Sequence, residues 1–162
     1  MTYRKILQHF TRVSPAKLLE FYPPFWFMGA QVKSVSADYR RLHLKLPTRW
    51  YARNMHGTLF GGFMAAISDP LPALLCARIF PGTEVWTKAI QIDFKRPAKG
   101  TLDIRVEIKQ SDVDAIAHAL ESHNKVSHEF HFDFSDSKGM TIASVKDTVY
   151  LRKSTKTPRR PD

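Results

Sequence analysis

Asn54-Met-His-Gly-Thr-Leu-Phe-Gly-Gly-Phe-Met-Ala-Ala-Ile-Ser-Asp69 runs from a glycine-bearing loop straight into a long apolar segment that carries one carboxylate. From Thr58 to Phe80 nearly every residue is hydrophobic or small, so a helix here is apolar on all sides and belongs in the middle of a domain. A carboxylate in such a helix is out of place, because burying an unpaired charge costs on the order of several kcal/mol or forces protonation. Asp69 therefore needs a reason. Gly61 and Gly62 place bare backbone N–H groups near the helix start, where a carbonyl oxygen or a developing anion is held. A carboxylate and an anion-binding backbone on one helix are the raw material of an acyl-transfer site.

Each of these residues also has a plainer reading. Ser68-Asp69-Pro70 spells an N-cap followed by proline at the first helical position, which restarts a helix after a kink. Gly61 and Gly62 allow close packing of helix on sheet as readily as they offer an oxyanion-type donor. Asn54 either shapes its own loop or orients a reacting group. Both readings stand for each residue at this stage.

Upstream, Ser14-Pro15 opens a short helix to about Phe21 that Pro23-Pro24 stops, and Phe25-Trp-Phe-Met28 forms an aromatic knot before a first strand near Ala30–Val35. Leu42, Leu44 and Leu46 alternate with His43 and Lys45 in a second strand that Pro47 ends. Downstream, Ile90, Ile92 and Phe94 mark a third strand. Leu102, Ile104, Val106 and Ile108 mark a fourth, the cleanest period-two pattern in the chain. Pro97-Ala-Lys-Gly100 turns between these two. A helix from Asp112 to about His123 precedes a fifth strand (Val126, His128, Phe130, Phe132, Phe134). Asp136-Ser-Lys-Gly139 then turns into a sixth, marked by Ala143, Val145, Val149 and Leu151. The expected architecture is α+β: a long central helix wrapped by a mostly antiparallel sheet of five or six strands.

The 162 residues suit one domain, expected over 1–152, followed by a basic, disordered tail at 153–162. The formal charge of +10 admits nucleic acid, an anionic membrane surface or a phosphate-bearing small molecule as partner. The stretch Arg152–Asp162 holds five of the basic residues, and no helix-turn-helix spacing or stacking-aromatic motif accompanies them, so nucleic acid ranks last. Asp69, Pro70, Pro72 and Arg78 interrupt the best candidate for a membrane span, and the N-terminus shows no secretion signal. A lone Cys76 excludes an intramolecular disulfide and reads as a small buried hydrophobe, and the expected location is cytoplasmic. His128 and His131 stand three apart on a strand and point to opposite faces, so no metal site is expected. No cofactor is expected either.

Asn54, Gly57, Phe60-Gly61-Gly62 and Asp69 resemble, in register, a pattern common in hotdog-fold thioesterases of the phenylacetate-degradation type. There an Asn precedes a Gly by three residues, then comes His-Gly-Gly, then an acidic residue nine positions after the His. Asp93-Phe-Lys-Arg-Pro-Ala-Lys-Gly100 looks like the segment joining the third and fourth strands of the same family. The similarity covers roughly residues 15 to 152 and is nearest to an uncharacterised, domain-of-unknown-function branch. The family's histidine is Phe60 here, which has no donor or acceptor, and His56 lies four residues earlier in the loop.

The resemblance implies an acyl thioester of coenzyme A or acyl carrier protein as ligand. Asp69 would be general base or nucleophile, the Gly61 and Gly62 backbone the oxyanion donor, and Asn54 the orienting residue. His56, Gly57, Phe60, Lys95 and Arg96 would line the substrate channel, the cations (with Lys99) suiting the phosphates of coenzyme A. It further implies a homo-oligomer, dimer or dimer of dimers, with the site between two subunits. A non-catalytic acyl binder, with Phe60 as an apolar wall, is the alternative.

Overall fold

Period-two alternation becomes six strands, and the apolar stretch between them becomes the helix they carry. The computed structural model describes Leu19 and residues 22–154. In chain order the elements are α1 (Pro23–Met28), β1 (Gln31–Val35), β2 (Arg41–Leu46), a 3-10 turn (Trp50–Ala52), α2 (Gly61–Ser68), α3 (Pro70–Ile79), β3 (Thr83–Phe94), β4 (Leu102–Glu107), α4 (Gln110–His123), β5 (Lys125–Ser135) and β6 (Thr141–Lys153). The strands form one antiparallel sheet in the order β1-β2-β4-β5-β6-β3. The expected helix before Phe21 and the tail after Ser154 lie outside the described residues.

Alternation decides which face is wet. Leu42, Leu44, Leu46, Leu102, Ile104, Val106, Phe130, Phe132 and Phe134 are all buried on the inner face. Their neighbours turn outward and pair across strands, with His43 Nε2 2.9 Å from Asp103 Oδ2 and Lys146 Nζ 2.8 Å from Glu129 Oε2. β4 and β5 pair only at Asp103–Ser135 and Ile104–Phe134, so the sheet parts where α4 is inserted.

α2 and α3 run on from one another across the inner face. Met64, Ile67, Ser68, Leu71, Pro72, Leu75 and Cys76 are buried, at the i, i+3, i+4 spacing of one helical face. The other side is open: Ala66, Asp69, Ala77 and Arg78 are exposed. This corrects the expectation of a helix buried all round, because within one chain only the sheet covers it. The 19 residues Gly61–Ile79, at mean hydropathy 1.2, are by length and composition apolar enough to cross a membrane, although the interruptions at Asp69, Pro70, Pro72 and Arg78 argued against such a stretch. Here they pack on the sheet, as the core helix of a globular fold does.

Two further expectations change. Pro23 and Pro24 begin a helix, α1, so the expected aromatic knot Phe25–Met28 is helical, since proline's fixed φ fits a first turn that needs no N–H donor. β3 and β4 are consecutive but unpaired, β3 joining β6 and β4 lying between β2 and β5, so the Pro97–Gly100 turn belongs to a crossover rather than a hairpin. Because Leu71 is fully buried at the centre of the helical face, Leu71→Ala should destabilise the fold by roughly 2–5 kcal/mol. The measurement is a lower urea midpoint with an unchanged m-value.

Candidate active site

The loop before α2 is built by Asn54. Its Oδ1 accepts the backbone N–H groups of His56 (2.9 Å) and Thr58 (3.2 Å), and its Nδ2 donates to Thr58 Oγ1 (2.9 Å). Gly57 completes the turn at φ 74°, a conformation that favours glycine. Leu59 N–H donates to the Ala98 carbonyl at 3.0 Å and fastens this loop to the 95–99 segment. Between them lies a cavity of about 540 Å3, with Asn54, His56, Gly61, Lys95, Arg96 and Lys99 among its lining. The structure thus brings Asn54, His56, Gly61, Lys95 and Arg96 to one place, with Gly57 in the same loop. Asn54 faces the cavity with its side chain already committed to the turn.

The first turn of α2 has no side-chain cap, because its N-cap residue is Phe60. The positive end of the helix and the Gly61 N–H are left without a partner from that position. Both glycines lie against aromatic rings. A Cβ on Gly61 would stand 3.0 Å from Phe94 Cζ, and one on Gly62 would stand 2.3 Å from Phe60 Cε1. The Phe60 ring therefore overlies Gly62, while Gly61 remains on the cavity wall. Of the nearby cations, Lys95 Nζ is 2.8 Å from Asp93 Oδ2 and Arg96 Nη1 donates to the Thr141 carbonyl at 2.6 Å. Lys99 is exposed.

Asp69 is not in this cavity. It follows the last residue of α2, eight residues from Gly61, which is about 12 Å along a helix axis. Its backbone is right-handed helical (φ −43°, ψ −53°) and its side chain makes no capping hydrogen bond, so the cap reading is not realised. The side chain is exposed, and the Asp69 carbonyl accepts from Thr87 Oγ1 at 2.5 Å. Gly62, Ala65 and Asp69 share a face of the helix at i, i+3, i+7 spacing. An open groove of about 430 Å3 runs between Gly62 and Ala65 on that face and Ile90, Ile92 and Phe94 of the unpaired β3 edge.

One buried acid has no counterpart among the residues singled out from the sequence. Asp147 on β6 is 0% exposed, and neither carboxylate oxygen has a hydrogen-bond partner. Burial pushes its carboxyl up to about 7, and the charge of Asp69 adds to the effect. Ala143, Val145, Val149 and Leu151 mark the core phase of that strand. Asp147 falls in the same phase, which is the signal that would have found it. Cys76 is also buried, with its thiol pushed up to about 12 by desolvation and by the carboxylates of Asp147 and Asp112. It is no nucleophile at neutral pH.

His128 Nε2 lies 3.3 Å from Asp112, and His131 is exposed beside Glu129. Among the described residues no cluster of His, Cys, Asp or Glu is suited to a metal ion. A second cavity of about 530 Å3 opens where β4 and β5 part, lined by Lys45, Asp103, Arg105 and Asp136 among others. Arg105 Nε lies 3.1 Å and Lys45 Nζ 3.9 Å from Asp103 there, and none of the motif residues reaches it.

The family model described as a domain of unknown function, DUF4442, matches residues 12–151. The chain belongs to the DUF4442 family. No curated protein matches this DUF4442 chain. Among solved structures it is similar to PA5026 from Pseudomonas aeruginosa, described as a protein of unknown function and probable thioesterase. That match has a TM-score of 0.76 and 17% identity, covering 86% of this chain and 93% of that one. The thioesterase HI1161 from Haemophilus influenzae matches at a TM-score of 0.68 and 13% identity, covering 91% and 97%. The PaaI protein of the E. coli phenylacetic acid degradation operon matches at 0.62 and 15%, covering 87% and 91%. These likenesses establish the hotdog fold for this DUF4442 chain.

Asp147 makes a prediction independent of activity. Its folded carboxyl keeps a proton up to about pH 7, whereas its ordinary value is 3.8. Between those values the native state binds the extra proton, so stability falls as pH rises through the window and levels off above it. Asp147→Asn should therefore raise the melting temperature at pH 7.5, by a gain worth about a few kcal/mol, and the gain should largely vanish near pH 4. Thermal melts of both proteins across this range test it.

Proposed function

We propose that this DUF4442 protein hydrolyses acyl thioesters of coenzyme A or acyl carrier protein, at a site completed between two copies of the chain. The observation that carries this reading is the uncapped start of α2, with Gly61 on the wall of a cavity flanked by Lys95, Arg96 and Lys99. A thioester carbonyl placed there would meet the positive end of a helix as its oxygen gains charge. The cations fit a phosphate-bearing carrier. Gly61 is the better donor of the two glycines, because Phe60 overlies Gly62.

Hydrolysis also needs a base, and Asp69 of the same chain is about two helical turns away. The β3 edge supplies a way to bring another. Both sheet edges carry a bulge, but β1 is only five residues long, a common way of blunting an edge. β3 is twelve residues long, exposes Trp86 and Phe94, and borders the apolar groove beside α2. A second copy paired along β3 would cover that edge, and a two-fold axis there sets the α2 helices of the two chains side by side. Asp69 of one copy then serves as base, or as nucleophile, at the Gly61 of the other.

Phe60 supports a second reading. Where the resemblance calls for a histidine this chain has a ring lying on the helix start, which suits a protein that binds acyl thioesters without turning them over.

A thiol-release assay over short, medium, long and aromatic acyl-CoAs separates the two. For hydrolysis, Asp69→Asn should lower turnover by about 10²-fold or more while binding of a non-hydrolysable acyl-CoA survives. If wild type binds acyl-CoA and releases no thiol, the binder reading holds, and Phe60→His tests whether the scaffold is otherwise competent. Sedimentation at micromolar concentration should show at least a dimer. A monomer alone would remove the shared-site proposal.

A further inference from the structure

Five exposed aromatic side chains sit on α1, the 3-10 turn and the start of α2: Trp50 is 83% exposed, Trp26 69%, Phe27 65%, Phe60 54% and Tyr51 42%. Three of the rings meet. The Tyr51 ring lies 5.6 Å from Trp50 and 6.3 Å from Phe27, and its hydroxyl donates to the Phe27 carbonyl. The backbone of Phe60 is tied to the same turn, its N–H donating to the Ala52 carbonyl at 2.8 Å.

The mounting is rigid. α1 turns Phe25 and Met28 into the core and leaves Trp26 and Phe27 outside. Gly29 ends α1 at φ 68°, where a Cβ would come within 3.3 Å of Arg49 Nε and 3.5 Å of Tyr51 Oη. The bare Gly29 backbone thus lets α1 come close to the 3-10 turn that carries Trp50 and Tyr51.

The segments that carry the rings are basic. Residues 22–35 and 47–63 include Lys33, Arg49 and Arg53 but no Asp or Glu. A second copy docked ring face to ring face would set Arg49 and Arg53 against themselves with no carboxylate to answer. An anionic bilayer answers both features. Its phosphates meet the guanidinium groups, and the headgroup level is where Trp and Tyr, apolar in body and polar at one tip, are most favourably placed.

We propose that the aromatic face built from α1 and the Trp50–Ala52 turn docks this protein onto the surface of an anionic phospholipid membrane, with Trp26 and Trp50 inserted at headgroup level and Arg49 and Arg53 on the phosphates. The proposal does not rest on thioester hydrolysis, since vesicle binding requires no turnover.

Flotation of the full chain with vesicles tests it. Wild type should float with phosphatidylcholine vesicles containing ~30% phosphatidylglycerol and stay behind with phosphatidylcholine alone, as charge-dependent attachment requires. Trp26→Ala/Trp50→Ala keeps the basic tail intact and should bind at least ~10-fold more weakly. Arg49→Gln/Arg53→Gln should lose binding several-fold, and its flotation decides the outcome if the tryptophan variant does not fold by circular dichroism. Equal flotation of the variants and wild type would assign the attachment to the tail and overturn the proposal. So would failure of wild type to float, or conversion of a dimer to monomer by the tryptophan substitutions. Binding to a soluble acidic protein such as acyl carrier protein, without binding to vesicles, would overturn it as well.

Discussion

The sheet holds the central helix together more than the helix holds itself. Pro70 and Pro72 remove two N–H donors from the middle of the segment, which leaves the carbonyls of Ala66 and Ser68 without their usual i+4 partners. Yet Asp69 keeps helical torsions, and α3 begins directly after it. Burial of Met64, Ile67, Leu71, Leu75 and Cys76 along one continuous stripe sets the course of the chain across this junction. Side chains bond two neighbouring carbonyls of the same segment: Ser68 Oγ donates to the Met64 carbonyl at 2.8 Å and Thr87 Oγ1 to that of Asp69.

That constraint places the chemistry. Since the helix is pinned by one face, its opposite face stays open, and it carries Gly62, Ala65 and Asp69 beside the unpaired edge of β3. The helix start, with its uncapped N–H groups, and the exposed carboxylate are fixed too far apart to meet within one chain. Beneath the same helix, Asp147 occupies a core position without a partner. A protonated carboxyl is the form that interior tolerates, and the negative charge of Asp69 reinforces it.

Strands are legible in the sequence where one face is dry and the other wet. Leu102 to Ile108 and Val126 to Phe134 alternate cleanly because α2, α3 and α4 cover only one side of the sheet. The loop around Asn54 and Gly57 is legible too, since an Asx-type turn is a local affair. Burial of the central helix is not, because an apolar composition does not tell how many neighbours a helix has. Strand order is hidden as well: β3 and β4 follow one another yet sit apart, a consequence of pairing between segments distant in sequence. The helix at Phe25–Met28 is hidden because a Pro-Pro pair that can end one helix also opens another. Asp147 is easily passed over, although its strand phase assigns it to the core.

The claim that the site is shared between two copies is tested most directly by subunit mixing. Gly61→Pro deletes the N–H donor at the first helical position, where proline is tolerated, and the extended backbone of Phe60 before it is compatible with that change. Asp69→Asn deletes the base. Each variant alone should be nearly inactive in thiol release. Unfolded and refolded together in equal amounts, they should regain roughly a quarter of wild-type activity, because half of randomly formed dimers are mixed and each of those holds one whole site. Recovery no greater than the sum of the separate variants would contradict a site built from two chains.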